Sequence, residues 1–440
     1  MERSTFEKLM EPIRPAVELD FIVAHLDWDQ RTFTPEGGQA ALGELKARMA
    51  RAAHVALTDP AVEAAIAECA TTCQDDWFYR RLTEQLRTLV RRRKALSPEF
   101  VAEKSAVASA SNAAWVRARA ASDYASFAPH LKAVIELSRQ EAIAYGADPA
   151  DPASLYTALL QDFEPGMTTE RLLQIIGDVR DWLVPFLGRI RESGTVLSDE
   201  VLHGHFPVDR QELLCNAAIR LMGYDASQGS LVVTPHPFTS TVGPFDVRVT
   251  THYKPDFVSP ALFGSIHEAG HALFELGKDE RLFTHMPTSA PMSLGLHESQ
   301  SRLWENLVGR SDGFWGWFRT ITAALFPELW SVDENTFYRA VNVVQPSPIR
   351  IYADELTYNL HIALRVELEL ELLAGTLQVE DLPAAWNAKM AEYIGYTPKN
   401  NAEGCLQDVH WSYGAIGYFG TYLLGNLAAA QLYHQYERTV

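Results

Sequence analysis

The chain has 440 residues, 47% hydrophobic and 21% charged, ample for a large buried core. Its net charge of −18, with no basic cluster dense enough to track a phosphate backbone, argues against nucleic acid; the strongest basic run, residues 91–94, reads as a solvated helix face. Four cysteines, Cys69, Cys73, Cys215 and Cys405, are too few and too scattered for a disulfide framework and read as thiols in a reducing compartment.

In chain order, residues 1–15 alternate charges and lack a secretory apolar core, which points to the cytoplasm. Residues 5–27, 38–71, 76–96, 98–145, 168–192 and 208–223 carry helical periodicity or strong helix formers. The stretch 146–152 (GADPADP) is the best boundary candidate but reads as a turn between helices, so residues 1–440 are expected to form one catalytic domain. Strand signal is confined to 231–234 and 245–253, where Val247, Val249 and Thr251 alternate with Arg248, Thr250 and His252. Residues 411–435 contain no Asp, Glu, Lys or Arg and are long enough to span a bilayer. Four tyrosines, four glycines, Asn426, Gln431 and His434 make a buried helix lining the active site the better reading, and no membrane partner is expected.

The most informative stretch is His267-Glu268-Ala269-Gly270-His271. Ser259-Pro260 supplies a helix start and Gly277 a stop, with Leu262, Ile266, Leu273 and Leu276 as the apolar face. Residues four apart on a helix are offset by about 40° and rise about 6 Å, so both imidazoles can close on one ion while Glu268 acts as a base. Two His and one carboxylate make zinc the default, one ion per chain, with cobalt or manganese as possible substitutes. The third ligand is not on this helix: Gly277 stands where a metzincin would have His, and Glu275 lies one turn too far. A second helical segment, about 293–307, offers Glu298, 27 residues after His271, with His297 and Glu305 as rivals. The strand before the metal helix is expected to form a cleft edge to which substrate backbone adds.

The run His297-Glu298-Ser299-Gln300 after this helix resembles the carboxypeptidase Taq family of metallocarboxypeptidases. So do His236-Pro237-Phe238, the Asp246, Arg248, Thr250 pattern, the Ile349, Arg350, Ala353, Asp354 pattern, and the Gly404, Gln407, Asp408, His410, Trp411 pattern. Trp28-Asp29-Gln30 with Pro35 and Gly37-Gly38, and 156–160 leading to Glu164-Pro165-Gly166-Met167, add to the likeness, which spans essentially the whole chain. The resemblance implies a mainly α, zincin-type fold with a small sheet beside the zinc site and a deep central groove between two helical halves. It also implies metal ligands His267, His271 and Glu298, peptide substrates trimmed by one C-terminal residue with broad specificity, and a homodimer.

The chemistry expected is promoted-water hydrolysis with Glu268 as general base and then acid. The oxyanion needs a donor, for which Tyr418, Tyr422, His236 and His410 are candidates. Tyr418 is preferred because GAIGYFGTY looks like the tyrosine-bearing segment of related oligopeptidases. A free substrate carboxylate calls for an arginine fork. The resemblance nominates Arg350, then Arg248, with His236 and His410 also placed at the substrate; salt bridges Arg350–Asp354 and Arg248–Asp246 are the structural alternatives. Asp408 or Asp354 is expected to fix a ligand imidazole. An oligopeptidase or peptidyl-dipeptidase of the same lineage is the alternative reading. A scaffold with structural zinc is disfavoured by the intact Glu268.

Overall fold

The computed structural model describes residues 3–72, 75–287, 290, 292–329 and 331–439. The chain is mainly helical, carries a three-stranded sheet, and divides into two compact units: 1–94, 200–291 and 300–337, and 95–199, 292–299 and 338–440. Of the cysteines, Cys69, Cys215 and Cys405 are buried and Cys73 lies outside the described residues.

In the first unit, prolines divide two of the predicted helices. The 5–27 span becomes helix Arg3–Leu9, a 3-10 turn Glu11–Ile13 holding Pro12, and helix Arg14–Thr32. The 38–71 span breaks at Pro60 into Gln39–Leu57 and Pro60–Thr72, with the Asp59 carboxylate accepting from the Ala61 N–H at 2.7 Å. The sheet has strands β1 (Leu231–Val233), β2 (Thr239–Gly243) and β3 (Asp246–Thr251) in the order β1-β3-β2, β3 running parallel to β1 and antiparallel to β2. Val247 and Val249 are fully buried against Ala269 and Ala272 of helix Ser259–Leu276, as their alternation requires. The strand before the metal helix, β3, is therefore paired on both sides and has no open edge. The outer strands are β1 and β2, and β2's TSTVG carries too little apolar alternation to be read as a strand.

In the second unit the 98–145 span is two helices, Pro98–Ala121 and Tyr124–Ala144. Ser122 turns left-handed (φ 54°) and the Asp123 side chain caps the second helix on Ser126. Residues 146–151 form the expected turn, after which Asp151 caps helix Pro152–Leu160. Helix Glu355–Ala374 is buried over most of its surface and runs through the core, with Leu360, Ile362, Ala363, Leu364, Val366 and Leu368 packed there beside the buried polar residues His361, Arg365 and Glu369. Its ends are fixed by the Asp354 carboxylate, which accepts from Leu356 and Thr357, and by left-handed Gly375. The uncharged 411–435 stretch becomes a 3-10 turn, His410–Tyr413, and helix Gly420–Thr439. Among the described residues, no helix is long and apolar enough to cross a membrane.

Candidate metal centre and surrounding site

Helix Ser259–Leu276 presents the two histidines as their spacing predicts, rings 4.9 Å apart and nearly perpendicular. One ligand atom from each of His267, His271 and Glu298 lies within 4.8 Å of the other two. The Nδ1 of His267 stands 2.8 Å from Glu305 Oε2, a contact that fixes the imidazole proton on Nδ1 and leaves Nε2 as the lone-pair donor. A borderline divalent cation suits this set of imidazole and carboxylate donors.

Glu305, a rival ligand on sequence grounds, instead contacts one of the candidate ligands, His267. The carboxylates expected in that role act elsewhere: Asp354 caps a helix and Asp408 pairs with arginines. Burial opposes the charge on Glu305, but Arg302, His267 and Arg310 hold it down at about 2, so it stays ionised. Glu275 pairs with Lys278 and accepts from the Thr241 hydroxyl at 3.0 Å.

Helix Leu294–Arg302 carries Glu298 and is seated by three features. Glu164 accepts from the Gly295 N–H and, at 2.9 Å, from the Ser293 hydroxyl, which places a carboxylate at the positive end of the helix. A Cβ on Gly425 would come within 2.8 Å of the Glu298 side chain. On the metal helix, a Cβ on Gly270 would lie 2.7 Å from the Gln300 carbonyl oxygen and Ser301 Cα. The glutamate therefore depends on close approaches that only glycine permits.

Glu268 is buried at 7% exposure beside the sheet. The Thr239 hydroxyl on β2 lies 2.7 Å from its Oε2 and 2.9 Å from its carbonyl oxygen. No spacing rule signalled Thr239, because the contact crosses 29 residues.

The early motifs meet around β2 and β3. Arg31 lies 3.4 Å over the Phe238 ring, Phe238 packs edge-on to Trp28, and Arg248 stands 5.6 Å from the Trp28 ring. Arg248 pairs with Asp246 through Nε at 3.0 Å and Nη2 at 2.7 Å, the alternative weighed for it. His236 is exposed, its carbonyl accepting from Thr234.

In the second unit, Arg350 is 5% exposed and pairs not with Asp354 but with Asp408, through Nε at 3.0 Å and Nη2 at 2.8 Å. Its Nη1 donates to the Tyr358 hydroxyl at 3.0 Å, and its guanidinium lies 4.9 Å from the Tyr422 ring. His410 stacks on Tyr418 and stands 3.4 Å from the Tyr422 hydroxyl. Burial and the two nearby guanidinia bring His410 down to about 3 despite Asp408, so its imidazole is neutral. Burial pushes the Tyr418 phenol up, Glu298 adding to the effect against a hydrogen bond with Tyr422, so it keeps its proton as a donor. Arg350, His410, Tyr418 and Tyr422 are thus brought into one cluster, with Arg248 and His236 in the other unit.

Residues 8–440 match the family model described as Carboxypeptidase Taq (M32) metallopeptidase. Thermostable carboxypeptidase 1 of Thermus thermophilus is 39% identical over 99% of this chain and 86% of its own length. Carboxypeptidase 1 of Bacillus subtilis is 35% identical over 98% of this chain and 86% of its own. The crystal structure of the M32 carboxypeptidase from Deinococcus radiodurans R1 superposes with a TM-score of 0.92 at 37% identity, covering 99% of this chain and 87% of that one.

Proposed function

The chain belongs to the carboxypeptidase Taq family and is a metallocarboxypeptidase, and on that premise we propose that it uses zinc to release single C-terminal amino acids from peptides with broad specificity. The observation that carries this reading is the group of His267, His271 and Glu298 with Glu268 beside it on the same helix. His267, His271 and Glu298 would hold the ion, one per chain, with cobalt or manganese as substitutes. When bound, the cation supplies Lewis acidity to the scissile carbonyl and acidifies the attacking water.

Glu268 takes the proton from that water and passes it to the departing amine. Thr239 holds the carboxylate by its Oε2, which fixes its orientation for the proton transfer. Tyr418 donates its phenolic hydrogen to the oxyanion developing on the carbonyl, supported by its retained proton. Arg350 receives the free substrate carboxylate on the Nη1 and Nη2 hydrogens left after its bonds to Asp408 and Tyr358. Arg248, His236 and His410 complete the substrate contacts in this reading.

We include in the same proposal one catalytic domain over residues 1–440, a homodimer and a cytoplasmic location. Family likeness supports the dimer. A reducing compartment suits Cys215 and Cys405, whose thiols burial pushes up to about 12. The test is mass spectrometry of a short peptide and its C-terminally amidated twin after incubation with zinc-loaded protein. Stepwise loss of single residues from the free acid alone is expected. Equal internal or dipeptide cleavage of both would move the assignment to an oligopeptidase.

A further inference from the structure

The arginine cluster of the second unit contains one cation more than it needs. Asp408 divides its carboxylate between two guanidinia: Oδ1 accepts from Arg350 and Oδ2 from Arg365, the latter at 2.7 Å from Nε and 2.6 Å from Nη2. Arg365 is fully buried, inaccessible to any peptide, and also donates to Gln407 Oε1 at 2.8 Å and to the His361 carbonyl at 2.6 Å. Gln407 Oε1 accepts from the Arg350 backbone N–H as well, at 2.8 Å, so one side chain ties both arginines together. The Trp386 ring lies 4.5 Å from the Arg365 guanidinium.

Among the described residues, Asp408 is the acid that pairs with either guanidinium. Glu369, one turn along from Arg365, accepts instead from Tyr156, Trp411 and Gly417, and burial raises it to about 7. Burial lowers Arg365 to about 10 against the pull of Asp408, which leaves it a cation at neutral pH. The contact group of Arg350, Arg365 and Asp408 therefore has a net charge of +1. An uncompensated buried charge is costly, and an arriving anion relieves that cost.

We propose that Arg365 is a positioning and specificity residue for the reaction: by sharing Asp408 it leaves the Arg350 fork cationic, and so sets the preference for a free carboxylate over an amide. Without Arg365, Arg350 and Asp408 would form a closed neutral pair with little pull on an anion. This inference rests on the reading of Arg350 as the carboxylate seat, while Arg365 itself touches no substrate.

The test compares wild type, Arg365→Met, Arg365→Lys and the double variant Arg365→Met/Asp408→Asn. Net cluster charge runs +1, 0, +1 and +1 across these four. Kinetics are measured on a free-acid peptide and its amide, alongside thermal melting of each metal-free protein with N-acetyl-L-alanine or its amide. Arg365→Met is expected to raise KM for the free acid about 10- to 100-fold with a smaller change in kcat, and to lose the melting shift given by the acid. Arg365→Lys and the double variant are expected to recover much of both, which a merely structural role would not produce, since the double variant removes more bonds. Retained acid-over-amide preference in Arg365→Met, or no recovery in folded Arg365→Lys, overturns the inference. A wild type with no such preference would instead overturn the reading of Arg350.

Discussion

Glu305 Oε2 lies 2.8 Å from Nδ1 of His267, a contact that in the proposed site would turn Nε2 of that imidazole toward the metal. A neutral imidazole has one donor and one acceptor nitrogen, and the carboxylate claims the donor. Glu305→Gln leaves a weaker acceptor that can also present its amide nitrogen. Metal affinity, measured by competition with a chelator, is expected to fall about 10- to 100-fold. An unchanged affinity would mean that the contact does not orient the ligand.

Replacing the proposed base, Glu268, should separate chemistry from binding. Glu268→Gln keeps the size of the side chain and its contact with Thr239 but cannot carry the proton. Turnover is expected to drop at least ~100-fold with metal content by elemental analysis unchanged. Substantial activity in a fully loaded Glu268→Gln protein would refute the mechanism.

Gly270 has no room for a side chain. A Cβ there would lie 2.7 Å from backbone atoms of residues 300 and 301, which cannot swing aside as a flexible side chain would. Gly270→Ala is expected to cost about 1–3 kcal/mol in a denaturant titration, and to lower metal affinity by displacing the Glu298 helix. Gly177, with nothing within 4 Å of a built Cβ, is the control: Gly177→Ala should not destabilise the protein.

Acid should weaken the second unit through its buried histidines. Burial and Arg365 hold His361 at about 3, and burial with the arginines against Asp408 does the same for His410, both from an ordinary 6.5. Between these values the unfolded chain takes up protons that the folded chain refuses. This stability is complete above about pH 6.5 and is lost as pH falls toward 3, on the order of 1 kcal/mol per pH unit for each histidine. Glu369, raised to about 7, tilts the other way between 4.5 and 7. The informative quantity is therefore the difference between wild type and His361→Gln in denaturant titrations from pH 6 to pH 4, where the variant is expected to have the shallower slope.

The mainly helical architecture was legible because it is local, written in the 3.6-residue pattern and, at 267–271, in ligand spacing. Errors came where one residue outweighs a window: Pro12, Pro60 and Ser122 cut helices that their neighbours favoured. Strand β2 escaped because its pairing with β3, not its own composition, makes it a strand. At the site, partners on the same helix or marked by a motif were visible as candidates. The partner each one chose was not: Asp408 comes to Arg350 across 58 residues, and Glu305 to His267 across 38. Such pairings belong to the tertiary fold.

Glu298 lies midway along helix Leu294–Arg302, and Glu305 sits in the π-helical segment Leu303–Val308 that continues it. The two glutamates are thus spaced along one continuous helical segment, where one added or lost residue would swing Glu305 by about 100°. The interval between the two glutamates is itself a specification: a one-codon insertion or deletion there, leaving every named side chain intact, would take the carboxylate away from His267 as surely as replacing it.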